Sequence, residues 1–310
     1  MITTVTMNPC MDKTVTVDTF QYGGLNRVQN GREDIGGKGI NVASVVTNLG
    51  GMALCTGINY ENGGDFIQGK LSDRHIRHDF VMVPGELRTN LKLFDRSKGV
   101  ITEVNESGSP VEAGSIVALK EKVRRYSRES SMMVFSGSVP QGVGSGVYRE
   151  LMEECARGCR PVLDAEGPLL SEGLKAQPYL IKPNRFELEM ILGEERSTKE
   201  GIVEGARELL RSGVQILCVS LGEDGAVIVD PCRAYFAPAL PVKVQSTVGA
   251  GDSMVAALCL AAEEGRPPAE MLRMATAAAA ASVMTEGTQL CSRSDFDVLL
   301  PQVSVTRIGE

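Results

Sequence analysis

The chain has 310 residues, of which 43% are hydrophobic and 23% are charged, values typical of a folded globular protein. Its 39 Asp and Glu residues outnumber its 32 Lys and Arg residues, and the net charge of −7 disfavours binding to nucleic acid phosphates. No apolar run reaches the roughly 20 residues that a membrane-spanning helix needs, and the N-terminus lacks the basic start and apolar stretch of a signal peptide. We therefore expect a cytoplasmic protein with no nucleic acid and no membrane partner.

The chain contains eight cysteines and two histidines. The cysteines are scattered, without a C-x-x-C pair, and several lie in apolar strand-like runs, which predicts reduced buried thiols rather than disulfides or zinc ligands. His75 and His78 lie beside Arg74 and Arg77, a pattern typical of solvated surface. With so little histidine, we expect carboxylates to carry any acid–base chemistry.

Short β-rich runs alternate with helical patterns along most of the chain. Strands are predicted at Ile2–Met7, Met52–Thr56, Met132–Phe135, Pro161–Asp164, Tyr179–Ile181 and Ile216–Ser220. Helices are predicted at Lys38–Leu49, Glu112–Tyr126, Gly146–Ala156, Arg185–Leu192, Lys199–Arg211, Ala250–Ala262 and Ala269–Met284. This alternation predicts one α/β domain over residues 1–310, with a largely parallel sheet covered on both faces.

Two segments break this rhythm, residues 13–32 and 88–104, because polar and apolar side chains alternate in them. Alternation with a period of two and no crossover helix is typical of half-exposed strands. We expect a small antiparallel sheet projecting from the main body, with lid strands at about residues 13–34 and 87–106. Such a sheet suits a lid over an active site or a dimer contact, since part of one face needs cover.

The strongest local motif is Ser246–Asp252, with the sequence STVGAGD, which leads directly into an apolar helix. A glycine-rich turn that opens a helix presents free backbone N–H groups at the positive end of the helix dipole, where anions bind. A carboxylate in this turn is useful if Asp252 accepts a proton from a nucleophile while the N–H groups stabilise a transferring phosphoryl group. The alternative is an ordinary aspartate at a helix start.

A second glycine turn, Gly36–Gly39, enters the helix predicted at Lys38–Leu49. Its spacing differs from a Walker A loop and from the dinucleotide fingerprint, and Gly39 replaces the Ser or Thr that would hold magnesium. Glycines here would let the backbone approach a polar ligand, with Lys38 and Asn41 as donors. A tight turn before a capped helix is the alternative, but it explains neither Lys38 nor Asn41.

Two further motifs follow predicted strands. Asn184 is placed to cap the helix at Arg185–Leu192, with Glu187 three residues later, as in a capping box. The functional hypothesis is that Asn184 and Glu187 order magnesium through water while Lys182 faces phosphate. The segment Ser220–Gly225 reads as a β-turn, but it also lies at a strand's carboxyl end, where α/β sheets bind ligands.

Six motifs occur in one order: Asn8-Pro9 with Asp12, Gly36-Gly37-Lys38-Gly39-Ile40-Asn41, Ser136–Pro140, Lys182-Pro183-Asn184, Ser220-Leu221-Gly222 and Val248–Asp252. In this order the chain resembles the ribokinase-like, phosphofructokinase B family of sugar kinases over essentially its whole length. The last motif is highly specific for that family when it occurs together with the other five. The resemblance implies a three-layer α/β/α fold with a β-sheet lid, and the use of ATP and Mg²⁺.

The resemblance also implies roles for individual residues. Asp252 would take the proton of the sugar hydroxyl, in an anion hole formed by Gly249, Ala250 and Gly251. The sugar would be bound by Asp12, Gly36, Gly37, Lys38, Asn41 and Ser136. The nucleotide would contact Lys182, Asn184, Ser220, Gly222 and Gly225, and Asn184 and Glu187 would match the magnesium-linked Asn-x-x-Glu motif.

Within the family, the chain resembles the branch that acts on phosphorylated ketohexoses such as fructose 1-phosphate and tagatose 6-phosphate. The motifs that carry this resemblance are Gly36–Asn41, Asn26-Arg27-Val28 and Arg88-Thr89-Asn90. A substrate that carries its own phosphate needs cations, and Arg27, Lys38 and Arg88 can converge from lid and helix. Glu103–Gly108 resembles the lid of fructose-1-phosphate kinases, whereas Gly287–Cys291 resembles the minor fructose-6-phosphate kinases. Because the lid covers the sugar, we expect conversion of fructose 1-phosphate to fructose 1,6-bisphosphate.

Three alternatives stay open at this point. The first is a kinase of the same fold that acts on tagatose 6-phosphate, fructose 6-phosphate or an unphosphorylated sugar. The second is a non-catalytic sugar-phosphate sensor, against which the intact Asp252 and its glycine turn argue. The third is a nicotinamide dehydrogenase, which the missing fingerprint disfavours. The expected partners are a sugar phosphate and ATP, and the lid is also a candidate homodimer contact.

Overall fold

The secondary structure follows the predicted alternation closely. A computed structural model describes residues 1–285 and 289–309 of the chain. The strands are β1 (Ile2–Thr6), β2 (Cys10–Val17), β3 (Asn30–Gly36), β4 (Ala53–Asn62), β5 (Arg77–Glu86), β6 (Arg88–Asp95), β7 (Val100–Asn105), β8 (Met132–Ser136), β9 (Arg160–Asp164), β10 (Leu180–Ile181), β11 (Ile216–Ser220), β12 (Ala226–Val229), β13 (Ala234–Ala237) and β14 (Thr306–Arg307). The helices are α1 (Lys38–Asn48), α2 (Gly64–Asp73), α3 (Ala113–Ser127), α4 (Val147–Glu153), α5 (Gly167–Gly173), α6 (Arg185–Leu192), α7 (Lys199–Leu210), α8 (Ala250–Glu263), α9 (Pro268–Val283) and α10 (Arg293–Leu299).

The main sheet has ten strands within the described residues, in the order β14-β13-β12-β11-β10-β9-β8-β1-β4-β5. The strands from β5 to β11 in this order are parallel, and β12, β13 and β14 add antiparallel partners at one edge. The prediction of a mostly parallel sheet is therefore confirmed. All its parallel strands point their carboxyl ends toward the same edge of the sheet.

Helices cover both faces of this sheet. On β8, Met132 and Val134 face one apolar cluster while Met133 and Phe135 face the other, as expected for a strand buried on both sides. The first cluster contains side chains of α1, α2, α8, α9 and α10, and the second contains side chains of α3 to α7. The three-layer α/β/α fold is confirmed. The alanine-rich helices α8 and α9 lie directly against each other.

A second sheet, in the order β3-β2-β6-β7, forms the predicted lid. The prediction of an antiparallel sheet was wrong in one respect, because β2 and β6 pair in parallel. The reason is topological. β2 and β6 follow β1 and β5, which are parallel strands of the main sheet, so both leave the same edge in the same direction. The outer pairs, β2 with β3 and β6 with β7, are antiparallel as predicted.

Most of the cysteines are buried, as predicted. The cysteines are free thiols, buried except for the half-buried Cys155 and the exposed Cys232. None of the helices in the described part combines the length and apolar character that crossing a bilayer requires.

Candidate active site

A cavity of about 520 Å³ opens at the carboxyl ends of the parallel strands. The first turns of α1 and α8 form its floor, and the lid strands β2, β6 and β7 contribute to its walls. It is lined by many of the predicted site residues: Asp12, Gly37, Lys38, Asn41, Arg88, Ser136, Lys182, Asn184, Glu187, Ser220, Gly249, Gly251 and Asp252. Motifs that are far apart in the sequence thus converge on one space, at the edge where α/β sheets bind ligands.

Asp252 lies in the first turn of α8, and only 6% of its surface is exposed. The helix begins after Gly249, whose φ of 79° is the left-handed conformation that glycine adopts without strain. Asn41 Nδ2 donates a 2.8 Å hydrogen bond to Asp252 Oδ2. The carboxylate is therefore fixed beside the positive end of a helix dipole, with the free backbone N–H groups of that turn nearby.

Burial raises the pKa of the Asp252 carboxyl to about 6. The positive charge of Lys38 and the Asn41 hydrogen bond lower this pKa, whereas the negative charge of Asp164 raises it further. A general base works best when its pKa lies near the operating pH, because it is then mostly ionised yet basic enough to take a proton. Asp252 is suited to that role near neutral pH.

The glycines before α1 allow close packing between the chain segments around the cavity. Gly37 precedes the helix with a φ of 122°, and a Cβ atom there would lie 2.8 Å from Thr6 Cγ2. A Cβ atom on Gly39 would lie 2.4 Å from Thr6 Oγ1. Because these residues have no side chain, the turn sits directly on the end of β1, and Lys38 and Asn41 reach the cavity.

Asp164, at the end of β9, is a cavity residue that the sequence analysis did not single out. Its carboxylate lies 3.5 Å from Lys38 Nζ and 3.4 Å from Lys182 Nζ, and it accepts a hydrogen bond from Ser136 Oγ. Burial alone would raise the pKa of Asp164, but Lys182 and Lys38 outweigh burial and hold that pKa below its ordinary value. In return, Asp164 holds the pKa of Lys38 above its usual range. Two cations are thereby fixed near Asp252.

Asp12 marks the lid end of the cavity. Lys92 Nζ lies 3.0 Å from Asp12 Oδ2, and Asn90 Nδ2 donates a 3.2 Å hydrogen bond to Asp12 Oδ1. Both members of the Lys92–Asp12 pair are buried. Lys92 was not predicted as a site residue, because the alternating polar and apolar residues of β6 are typical of a half-exposed strand. The polar face of that strand is in fact the face that lines the cavity.

Arg88 lies on the same face of β6, and its acceptors among the described residues are all neutral. Its guanidinium donates to the carbonyl oxygens of Asn8 and Glu106 and to the side-chain oxygen of Asn90. In the part of the chain that the structure describes, Arg88 forms no ion pair, and its buried Nε atom has no hydrogen-bond partner. The positive charge of Arg88 therefore remains available to an anion in the cavity.

Two other buried polar atoms at this end also lack partners within residues 1–285 and 289–309. They are Thr6 Oγ1 and Asn8 Oδ1, and both side chains line the cavity. Buried polar groups are normally satisfied, so unpartnered atoms facing a cavity indicate a polar ligand. A polyhydroxylated molecule that carries an anionic group would satisfy these atoms and Arg88 together.

On the opposite side, Asn184 caps α6. Its side chain accepts from the backbone N–H of Glu187, and the Glu187 carboxylate accepts from the backbone N–H of Asn184, both at 2.8 Å. The predicted capping box is confirmed, and both side chains also line the cavity. Within the described residues, no cluster of three or more His, Cys, Asp or Glu side chains could hold a metal. The pair Asn184 and Glu187 fits Mg²⁺, because this ion usually takes only one or two protein ligands beside waters and substrate phosphates.

The turn after β11 continues this side of the site. Ser220 lines the cavity, and Gly222 and Gly225 follow it with φ values of 61° and 106°. A Cβ atom on Gly225 would lie 2.0 Å from the Ala237 carbonyl oxygen, so only glycine fits there. A Cβ atom on Gly222 would have no other atom within 4 Å, so the space beside this residue is open.

The structure does not bring every predicted residue to the cavity. Arg27 lies on an exposed loop between β2 and β3, and it is not among the lining residues. Gly36, Ala250, Gly222 and Gly225 border the site without lining it. Gly287 and Thr288 of the motif Gly287–Cys291 lie outside the described residues.

The geometry belongs to a phosphoryl-transfer enzyme, because a buried carboxylate, a helix N-terminus and two fixed lysines face one cavity. Comparisons with known proteins agree. The model of the pfkB family of carbohydrate kinases matches residues 5–295. This chain belongs to that family, so it is a kinase that transfers phosphate to an alcohol group of a carbohydrate.

Individual relatives extend this result. A 1-phosphofructokinase of Rhodobacter capsulatus is 38% identical over 288 residues, which cover 89% of this chain and 88% of that protein. A 1-phosphofructokinase of Borreliella burgdorferi is 31% identical over 309 residues, 99% of each chain. The crystal structure of phosphofructokinase-2 from Escherichia coli in complex with potassium has a TM-score of 0.92 and 31% identity, covering 97% of this chain and 98% of that one.

Proposed function

We propose that this protein transfers the γ-phosphate of ATP to the free primary hydroxyl of fructose 1-phosphate, forming fructose 1,6-bisphosphate. The relatives named 1-phosphofructokinase support this substrate. The observation that carries the proposal is that the two ends of the cavity carry opposite charges. A buried carboxylate with a raised pKa lies at the α8 end, and at the lid end lies Arg88, which has no anionic partner in residues 1–285 and 289–309.

Asp252 is the general base of this reaction. Its carboxylate accepts the proton of the sugar hydroxyl as that oxygen attacks the γ-phosphate in line. The backbone N–H groups of the turn Gly249–Gly251 stabilise the transferring phosphoryl group, because they lie at the positive end of the α8 dipole. Gly249 and Gly251 line the cavity, whereas the Ala250 N–H donates to the Thr247 carbonyl oxygen at 3.4 Å and contributes least. Asn41 holds Asp252 Oδ2 at 2.8 Å, which leaves Oδ1 for the proton.

The sugar phosphate binds beneath the lid. Arg88 binds the phosphate of the sugar, because a guanidinium recognises phosphate through two parallel hydrogen bonds. Lys92 is unsuited to this role, since Asp12 already neutralises its charge. Asp12, Gly36, Gly37, Asn41 and Ser136 bind or surround the sugar hydroxyls, and Arg27 would add a cation only if the lid loop moved.

The nucleotide occupies the side of the cavity formed by β10 and β11. Lys38 was predicted to bind the sugar phosphate, but it lies with Lys182 at Asp164, so we assign both lysines to the nucleotide phosphates. Ser220 with the turn at Gly222 and Gly225 borders the nucleoside. Asn184 and Glu187 would hold Mg²⁺ through water, and the ion would neutralise phosphate charge. The carboxylate of Glu187 belongs to the capping box, so its orientation is set before any ligand binds.

We also propose that the protein acts in the cytoplasm as a homodimer joined through the lid. The lid sheet and the loop between β2 and β3 expose large apolar side chains, with Tyr22 97%, Leu25 73% and Val104 59% exposed. Apolar side chains concentrated on one projecting element are typical of an interaction surface. Light scattering of the purified protein tests this, and a monomeric mass at micromolar concentration would rule it out.

The function is tested by an ADP-release assay with Mg·ATP and a panel of acceptors. The panel contains fructose 1-phosphate, tagatose 6-phosphate, fructose 6-phosphate, fructose and ribose. We expect fructose 1-phosphate to give the highest kcat/KM by a wide margin. A higher kcat/KM for another phosphorylated ketohexose would leave the mechanism unchanged but assign a different substrate. Tight binding of sugar phosphates without turnover would favour a sensor instead.

A further inference from the structure

The buried ion pair between Lys92 and Asp12 is unusual for its position. The outer lid strand next to β6 is open to solvent, since every residue of β7 is exposed. Lys92 nevertheless has only 4% of its side chain exposed, and Asp12 only 7%. Lysine is almost never fully buried unless it is paired, and burying both charges has a large desolvation cost. Such a pair is weak evidence for stability, so its role has to be sought in the geometry it imposes.

That geometry joins the two lid segments on the face that covers the cavity. Asp12 lies on β2 opposite Asn90 of β6 in the parallel register, and Lys92 follows two residues later on the same face. Lys92 Nζ lies 3.0 Å from Asp12 Oδ2, while Oδ1 accepts from Asn90 Nδ2 at 3.2 Å and faces Cys10 Sγ at 3.4 Å. Both oxygens of Asp12 are thus engaged from the lid, and the orientation of the carboxylate is fixed.

A second carboxylate lies near Lys92 but does not pair with it. Glu103 of β7 is opposite Lys92 in the antiparallel register. In the described residues, however, Lys92 forms its ion pair with Asp12, and Glu103 is exposed and accepts a hydrogen bond from Asn105. Lys92 is therefore paired with Asp12, whereas Arg88, which also lines the cavity from β6, has no ion pair among the described residues and can meet the substrate phosphate.

We propose that Lys92 is a positioning residue for the sugar: it acts through Asp12 by holding that carboxylate in the orientation that accepts sugar hydroxyls. This inference rests on the proposed function, in which Asp12 contacts the sugar. Lys92 does not touch the substrate phosphate in this scheme. Without Lys92, Asp12 would be a buried carboxylate lacking its cation, and its side chain would leave this orientation. That change removes the acceptor from the sugar hydroxyls.

The test is a double-mutant cycle between Lys92→Met and Asp12→Asn, with kcat and KM measured for fructose 1-phosphate and for ATP. Lys92→Met in the native background is expected to raise the KM for the sugar phosphate about 10- to 100-fold, the effect of losing a hydrogen bond to a charged group. The KM for ATP should change by less than about twofold, because uniform loss of sugar binding leaves nucleotide binding intact. In the Asp12→Asn background, Lys92→Met should have almost no further effect, because the residue it positions is already altered.

The matched control is Lys13→Met on the neighbouring lid strand. Lys13 also forms an ion pair, with Glu33 at 2.9 Å, but its side chain is 45% exposed. This variant should keep both KM values. If Lys92→Met alone does not fold, Lys92→Gln, which keeps a hydrogen-bond donor without the charge, replaces it in the same cycle.

Two results would overturn the inference. An equal effect of Lys92→Met in both backgrounds would mean that Lys92 contacts the substrate directly. An unchanged KM for the sugar phosphate in Lys92→Met would mean that the pair does not position the site. Both differ from failure of the proposed function, in which the native protein itself would phosphorylate none of the sugar phosphates.

Discussion

Asn41 and Asp252 are 211 positions apart, and the amide of Asn41 donates a 2.8 Å hydrogen bond to the carboxylate of Asp252. This bond joins the first turns of α1 and α8. The two glycine motifs therefore build one site: the turn before α1 supplies the group that orients the carboxylate, and the turn before α8 supplies the carboxylate and the anion-binding N–H groups.

The first prediction concerns the base. Asp252→Asn keeps the size of the side chain and an acceptor for Asn41, but it cannot accept the proton. We expect kcat to fall at least about 10²- to 10⁴-fold, the usual contribution of general-base catalysis. The dissociation constant for fructose 1-phosphate, measured by calorimetry, should change much less. Asp65→Asn is the matched control, because Asp65 also lies in the first turn of a helix but is exposed on α2. A kcat of Asp252→Asn close to that of the native protein would contradict the mechanism.

The second prediction concerns pH. Because burial raises the pKa of Asp252 to about 6, kcat should fall as the pH decreases through about 6 and the base becomes protonated. Lys38 lowers that pKa, so Lys38→Met should move the acidic limb of kcat to higher pH. The measurement is kcat at saturating substrate between pH 5 and 8.5 for both proteins. A limb that does not move in Lys38→Met would assign it to another group, such as the substrate phosphate.

The third prediction is that Asp252→Asn, which lowers kcat, makes the folded protein more stable. The ordinary pKa of an aspartate lies near 4, so the folded protein binds this proton more tightly than the unfolded chain. The ionised carboxylate therefore destabilises the fold above about pH 6, by up to about 3 kcal/mol, and this cost disappears as the pH falls toward 4. Asp252→Asn should accordingly raise Tm at pH 8, with a gain that shrinks below pH 6. Equal Tm values at pH 8 would show that the buried charge is compensated.

Local motifs predicted much of this structure because they act within one turn. The helix Arg185–Leu192 was predicted to the residue, since Asn184 and Glu187 are a capping signal that needs no distant contact. By contrast, α2 was missed. Its sequence, GDFIQGKLSD, buries little beyond Ile67 and Leu71, which is too weak an apolar pattern to recognise.

Contacts between distant segments explain what sequence reasoning missed in the site. Asp164 ends a predicted strand but belongs to no motif, and its importance comes from the two lysines that other elements bring to it. Lys92 lies on a strand whose polar face lines the cavity. The alternation of polar and apolar residues cannot distinguish a face that lines a cavity from one exposed to bulk solvent. The roles of Arg27 and the other predicted ligand-binding residues stay predictions.

The fourth prediction concerns the substrate phosphate. Arg88→Ala should raise the KM for fructose 1-phosphate about 10- to 100-fold, because a charge-assisted hydrogen bond is lost. Any slow turnover of unphosphorylated fructose should be unaffected. Arg88→Lys should restore activity only partly, since lysine lacks the planar pair of donors. Arg96→Ala is the control, because Arg96 lies just beyond β6 and pairs in solvent with Asp18. Equal losses for both sugars would mean that Arg88 supports the lid rather than the phosphate.

The fifth prediction concerns Asp164, which we expect to be needed for both stability and nucleotide binding. Asp164→Asn removes the charge that fixes Lys38 and Lys182, and Lys182 has only 7% of its side chain exposed. Leaving one buried partner uncompensated should lower the free energy of unfolding by about 3 kcal/mol. The KM for ATP should rise as well, since both lysines lose their fixed positions. Denaturant titration and the coupled assay measure the two effects.

The control for this variant is Glu172→Gln, which removes a partner of Arg149 and Lys175 at the surface. Exposed ion pairs contribute about 1 kcal/mol or less, so this change should be small and leave the KM for ATP intact. If Asp164→Asn raised the KM for ATP without loss of stability, Asp164 would act on the nucleotide itself. If it lowered stability alone, the two lysines would keep their positions without it, and their contact with phosphate would not depend on the ion pairs.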